Sequence, residues 1–232
     1  MNRFVLAAAA LLWTLPVFGA DHLEPDDKYF SSYHDRVTSA FKELFEPGVL
    51  ARMTVEPSFS VEYAVAVKQT DKTFTIISVS TEDQLWKYEV LKQMKAGQIA
   101  VSDDKGNDIT AERIKELEAS LPKNSDDVKV KRCEIPLDAS VAGRAIRVWI
   151  VMLQATKAAP YDGGPDGAFY HFSAPVDGKE LAGQIWSPPR ESNPGRLVVI
   201  AETMRRYCQT KDASEAAALQ KQVDDLAKRL GL

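Results

Sequence analysis

Phe59-Ser60-Val61-Glu62-Tyr63-Ala64-Val65-Ala66-Val67-Lys68 sets larger apolar side chains at every second position over ten residues. A period of two belongs to a β-strand, whose successive side chains point to opposite faces. Thr73-Phe74-Thr75-Ile76-Ile77-Ser78-Val79 is rich in β-branched residues and is the expected hairpin partner across Gln69-Thr70-Asp71-Lys72. Residues 50–56 are read as a third strand, ended by Pro57.

A second hairpin is signalled further along. Phe169-Tyr170-His171-Phe172 and residues 181–186 flank Asp177-Gly178, a dipeptide favoured in tight hairpin turns. Residues 127–135 are read as a strand whose alternation slips, with Val128 and Val130 on one face and Cys133 and Ile135 on the other. A bulge near Lys131-Arg132 is the expected remedy.

Helices are expected around these strands. Asp35 is the expected cap of the first, in which Val37, Phe41, Leu44 and Phe45 recur at helical spacing before Pro47-Gly48. Thr81-Glu82-Asp83 starts the next, with Leu85, Trp86, Val90, Leu91 and Met94 on one face, and residues 111–121 form a third. Residues 138–157 are apolar nearly all round, as expected of a helix buried in a domain; Arg144, Arg147 and Lys157 exclude a bilayer span. Asn193-Pro194 opens a helix that places Leu197, Ala201, Met204 and Cys208 on one side. Asp212 and Glu215 resemble a capping box before the stripe Leu219, Val223, Leu226, Leu230. The element order predicts an α+β fold: a mainly antiparallel sheet of two hairpins plus additional strands, packed against a long buried helix and C-terminal helices.

The first residues point to export. Arg3 supplies a positive start, residues 4–15 an apolar run, and Pro16-Val17-Phe18-Gly19 a helix break with small residues, so residues 1–19 are read as a signal peptide. Residues 20–34 are expected to be a loose, or ordered-on-docking, N-terminal segment, and residues 35–232 a single α+β domain. The expected location is periplasmic or secreted, with no membrane insertion after signal cleavage. Cys133 and Cys208 are the only cysteines, and in an oxidising compartment they are expected to pair.

Composition narrows the function classes. Acidic and basic residues are mixed along a chain of formal charge −4, and no Lys/Arg run marks nucleic acid as a partner. No His-Glu-x-x-His, Cys-x-x-Cys, P-loop, Gly-x-Gly-x-x-Gly or Gly-x-Ser-x-Gly occurs, so neither a metal nor another cofactor is expected from local spacing.

His171 is the one candidate for catalysis, as a general base oriented by Asp162, Asp166 or Asp177, its neighbours in sequence. Tyr161, Phe169, Tyr170, Phe172 and Trp186 are candidates for an aromatic recognition edge, with filling of the core as the rival for at least half of them. Leu219 and Val223 are candidates for a partner-binding helix face, including homodimerisation through the C-terminal helix, against the favoured reading in which that helix docks on its own domain. Elimination therefore favours a non-enzymatic binding protein of inhibitor, immunity or envelope-accessory type that contacts a protein partner in the cell envelope. The alternatives are a periplasmic hydrolase with a dispersed site around His171 and a structural subunit of an envelope complex.

Overall fold

The computed structural model describes residues 21–26, 31–123, 127–158 and 166–232. The expected signal peptide and Tyr161 lie outside them. Six strands form one antiparallel sheet: β1 (Val49–Pro57), β2 (Tyr63–Thr70), β3 (Thr73–Thr81), β4 (Val130–Leu137), β5 (Ala168–Val176) and β6 (Lys179–Trp186), in the order β4-β3-β2-β1-β5-β6. The helices are α1 (Ser31–Ala40), α2 (Trp86–Lys95), α3 (Thr110–Ser120), α4 (Ala139–Gln154), α5 (Asn193–Thr210) and α6 (Ala213–Arg229). This is an α+β fold. No helix among the described residues is long and apolar enough to cross a membrane.

The sheet is apolar on both faces, and the alternation in β2 shows how. Val65 and Val67 join the large core formed with α4, α5 and α6, whereas Ala64 and Ala66 join Val37, Phe41 and Leu44 on the α1 side. In β3, Ile76 goes to the first cluster and Ile77 to the second. Edge strand β4 is covered on one face only, with Val130, Arg132 and Glu134 exposed on the other. Its register with β3 runs unbroken from Phe74↔Leu137 to Thr81↔Val130, so the bulge expected at Lys131-Arg132 is absent; the irregularity lies in β1, between Val49 and Ala51. Cys133 and Ile135 pack on the α5 side, Val130 is exposed, and Val128 packs on the α2 side from the connection before the strand, so no bulge is needed.

Turns and caps follow local chemistry. Asp177 and Gly178 both take positive φ, 50° and 75°, as the tight turn between β5 and β6 requires. Asp138 caps α4 through Ser140 N and Val141 N, and Asp212 caps α6 through Ser214 N. At α5 the cap is Ser192, one residue before the expected Asn193, and its hydroxyl accepts from Gly195 N. Phe59 is not in the strand it was expected to begin; it sits in the β1–β2 connection, 79% exposed.

Glu62, just before β2, is fully buried. Its carboxylate accepts from Tyr33 Oη (2.6 Å), Thr81 Oγ1 (3.1 Å), Leu85 N (2.8 Å) and Trp86 N (3.0 Å). The last two are N-terminal amides of α2, which have no partner within the helix, so a carboxylate there meets both the open donors and the positive helix end. Burial and this carboxylate push the Tyr33 phenol well above its ordinary range.

The disulfide Cys133–Cys208 joins edge strand β4 to α5. At the opposite edge, Glu24 bonds Gln184 of β6 in both directions (2.8 Å each), and Leu23 is completely buried in the main core. This stretch of the segment expected to be loose is docked along β6, and α1 begins four residues before the expected cap Asp35.

Candidate functional site

On the α1 side the sheet is apolar over β2, β3 and Val49. Over the rest of β1 and over β5 and β6 the same face is polar, because Arg52, Thr54 and Glu56 alternate with the core residues Met53 and Val55, and His171 and Ser173 alternate with Phe172 and Ala174. Thr54 is the direct cross-strand partner of His171, and Arg52 that of Ser173. Helix α1 lays His34 and Thr38, one turn apart, against this patch, and the docked segment brings Asp26. These groups line a cleft of about 290 Å³.

Two imidazoles and two carboxylates converge there. Glu56 Oε1 lies 2.7 Å from His34 Nδ1, and Glu56 Oε2 lies 3.4 Å from His171 Nε2. Asp26 Oδ1 is 3.2 Å from His171 Nδ1. The two rings pack with centroids 4.5 Å apart. His171 is only 8% exposed, and its Nε2 and the Thr38 Oγ1 are buried without a hydrogen-bond partner.

Burial disfavours a charge on His171, but the Asp26 and Glu56 carboxylates outweigh it and push its pKa up to about 9. Burial likewise works against the Glu56 carboxylate, and the two histidines overcome it, holding its pKa below the ordinary range. His171 is thus a proton-holding centre between two anions. His34 has one nitrogen fixed by Glu56, which leaves Nε2 for other chemistry. Nearby, Arg52 pairs with Glu180, lies over the Phe45 ring at 3.9 Å and also lines the cleft.

The other residues singled out in the sequence are dispersed. Phe169 is buried against Trp186 (centroids 4.7 Å apart) on the His171 side. Tyr170 points to the opposite face, where it borders a different cavity with Glu202 and Arg206, and Phe172 is buried on Trp149. Among the described residues, Phe169 and Trp186 lie on one face of the sheet and Tyr170 on the other. Leu219 and Val223 are 1% and 0% exposed in the main core with Leu226, the docked arrangement, which leaves neither at the surface for a partner. Cavities of about 340 and 320 Å³ lie along α5 near Arg190 and contain no histidine.

His171 therefore does meet carboxylates, those of Asp26 and Glu56; of the sequence neighbours expected to orient it, Asp162 lies outside the described residues. Asp26, His34 and Glu56 escaped the sequence reading. The signal that was present is the polar alternation Arg52-x-Thr54-x-Glu56, which by itself reads as the wet side of a half-exposed strand. No protein-family model, curated protein or solved structure matches the chain.

Proposed function

We propose that the protein is an exported hydrolase whose reaction centre is the cluster His34, Glu56, His171 and Asp26. The observation that carries this reading is the convergence of two imidazoles and two carboxylates beside a cleft large enough for a small polar group, with His34, His171 and Asp26 on its wall and Glu56 in contact with both rings. Ordinary packing does not call for such a set, because burying ionisable groups costs free energy that an apolar sheet face would not.

In the hydrolytic reading, water oxygen forms the new bond to the electrophilic centre. The cluster takes the proton that water releases and returns it to the leaving group as the scissile bond breaks. Arg52 and the hydroxyls of Thr54 and Ser173 are positioned to hold polar substrate groups. The disulfide supports placement in an oxidising compartment, periplasmic or extracellular.

The test is a panel of ester, phosphoester, amide and glycoside substrates applied to the wild type and His34→Ala. A turnover lost in the variant with the fold intact supports the reading; a turnover equal in both contradicts it. One observation favours a second reading, that of a binding protein for a protein partner: Phe59, an aromatic side chain projecting at a loop tip. That reading requires capture of a stoichiometric envelope partner that Phe59→Ser abolishes.

A further inference from the structure

We propose that Asp26, His34 and His171 form a binding site for one divalent transition-metal ion, zinc being the one that hydrolysis calls for. The inference deepens the hydrolytic reading and rests on it for the use of the metal, though not for its binding.

The donor set is the first argument. One ligand atom from each of the three residues lies within 4.8 Å of the other two. Two imidazoles and one carboxylate, with no thiolate, make a set that catalytic zinc sites employ, and three protein ligands leave a position for water. Asp26 Oδ1 and His171 Nδ1 are 3.2 Å apart, matching the edge of about 3.3 Å for a tetrahedron with zinc–ligand bonds near 2.0–2.1 Å.

The surroundings of the ligands are the second. Metal-binding imidazoles ordinarily give their other ring nitrogen to a carboxylate that fixes tautomer and orientation. Glu56 meets that need for both rings, with Oε1 at 2.7 Å from His34 Nδ1 and Oε2 at 3.4 Å from His171 Nε2. Ligation through His34 Nε2 and His171 Nδ1 leaves each Glu56 contact in place. The His171 Nε2, buried and now lacking a hydrogen bond, gains one by a small tightening toward Glu56.

The placement of the third ligand and of the open position completes the picture. Asp26 follows directly on the Glu24–Gln184 backbone pair, so the edge of β6 fixes where that carboxylate stands. The three residues line one cleft with Arg52, Thr54 and Ser173, and a fourth ligand facing it would be a water within reach of a bound substrate. When bound, zinc lowers the pKa of such a water to about 7 and so supplies hydroxide at neutral pH. Local spacing could not show this site, because its two histidines come from α1 and β5.

The experiment is calorimetric titration of untagged, chelator-treated protein with zinc chloride, together with zinc X-ray absorption on the loaded wild type. One ion per chain is expected, bound at least 100-fold more weakly by His34→Ala and by His171→Ala and about 10–100-fold more weakly by Glu56→Gln. Two imidazole scatterers are expected in the absorption spectrum, a readout that needs no variant to fold. Failure to saturate at one ion, unchanged affinity in the folded histidine variants, or a spectrum without imidazole overturns the site. Zinc bound at these residues with no turnover of any substrate removes the hydrolytic reading and keeps the site. Turnover that needs His34 but persists in chelator does the reverse.

Discussion

The rings of His34 and His171 lie 4.5 Å apart at an interplanar angle of 50°, one carried by a helix and the other by a strand. Glu56 is the group that allows this proximity, since its two carboxylate oxygens each face one ring. The same carboxylate, with Asp26, favours a proton on His171.

Replacing Glu56 by Ala removes the anion and leaves a buried imidazolium facing Asp26 alone. Breaking a buried charge pair on one side costs about 3–5 kcal/mol. Urea unfolding at neutral pH should show a loss of that order, and Glu56→Gln, which keeps the shape, a smaller one. A loss below about 1 kcal/mol for the alanine variant would mean that the cluster is not assembled as described.

The cluster also sets a pH dependence in the chelated protein. The His171 pKa is raised from 6.5 to about 9, so the folded state holds this proton more tightly than the unfolded chain. Its contribution is fully present below about pH 6.5 and is lost as pH rises through about 9, with a ceiling near 3 kcal/mol. Unfolding midpoints should fall across that window in the wild type and stay flatter in His171→Asn. An equal slope in both would contradict the ion pairs.

Glu62→Ala tests a purely structural carboxylate on the same side of the sheet. The donors of Tyr33, Leu85 and Trp86 lose this acceptor together, while the Thr81 hydroxyl keeps the Glu62 carbonyl oxygen. Each unsatisfied group costs about 1–3 kcal/mol, with some recovery by relaxation, so a total of about 4 kcal/mol is expected in chemical denaturation. Hydrogen exchange should localise the damage to the first turn of α2. A variant as stable as wild type would rule out this capping role.

Reduction of Cys133–Cys208 releases a loop with a sequence separation of 75. The chain-entropy model assigns such a crosslink about 4 kcal/mol. Urea midpoints with and without reductant, compared with the double Cys→Ala variant, measure the difference; coincident curves would show that the bond adds nothing.

Most of the fold was legible because its signals are local. The period of two that marks β2, the Asp177-Gly178 turn, and the cap at Asp212 each depend on a few neighbouring residues. The stripe Leu219, Val223, Leu226 likewise announced a docked helix. The bulge expected in β4 is absent for a different reason: it treats Val130 as part of a buried face, whereas Val130 is exposed at the edge of the sheet.

The site was less legible because pairing between distant segments creates it. His171 stands out in the sequence, but Asp26 and Glu56, distant from it in the chain, reach it through the β6 edge and the β1–β5 register. His34 belonged to a segment read as loose. Glu56 looked like one more outward residue of a strand, and only the cover of α1 turns that position into the interior.

The measurement that bears most directly on the account is kcat/KM for the best substrate of the panel in three proteins: wild type, His34→Gln and Leu219→Ala. Leu219→Ala removes core packing distant from the cleft and should cost about 2–5 kcal/mol of stability while leaving kcat/KM within about twofold at a temperature where it is folded. His34→Gln should lose at least 100-fold with its fold intact. Equal kcat/KM in wild type and His34→Gln, or no turnover of any substrate by the wild type, would contradict the assignment of function to the His34–Glu56–His171–Asp26 cluster.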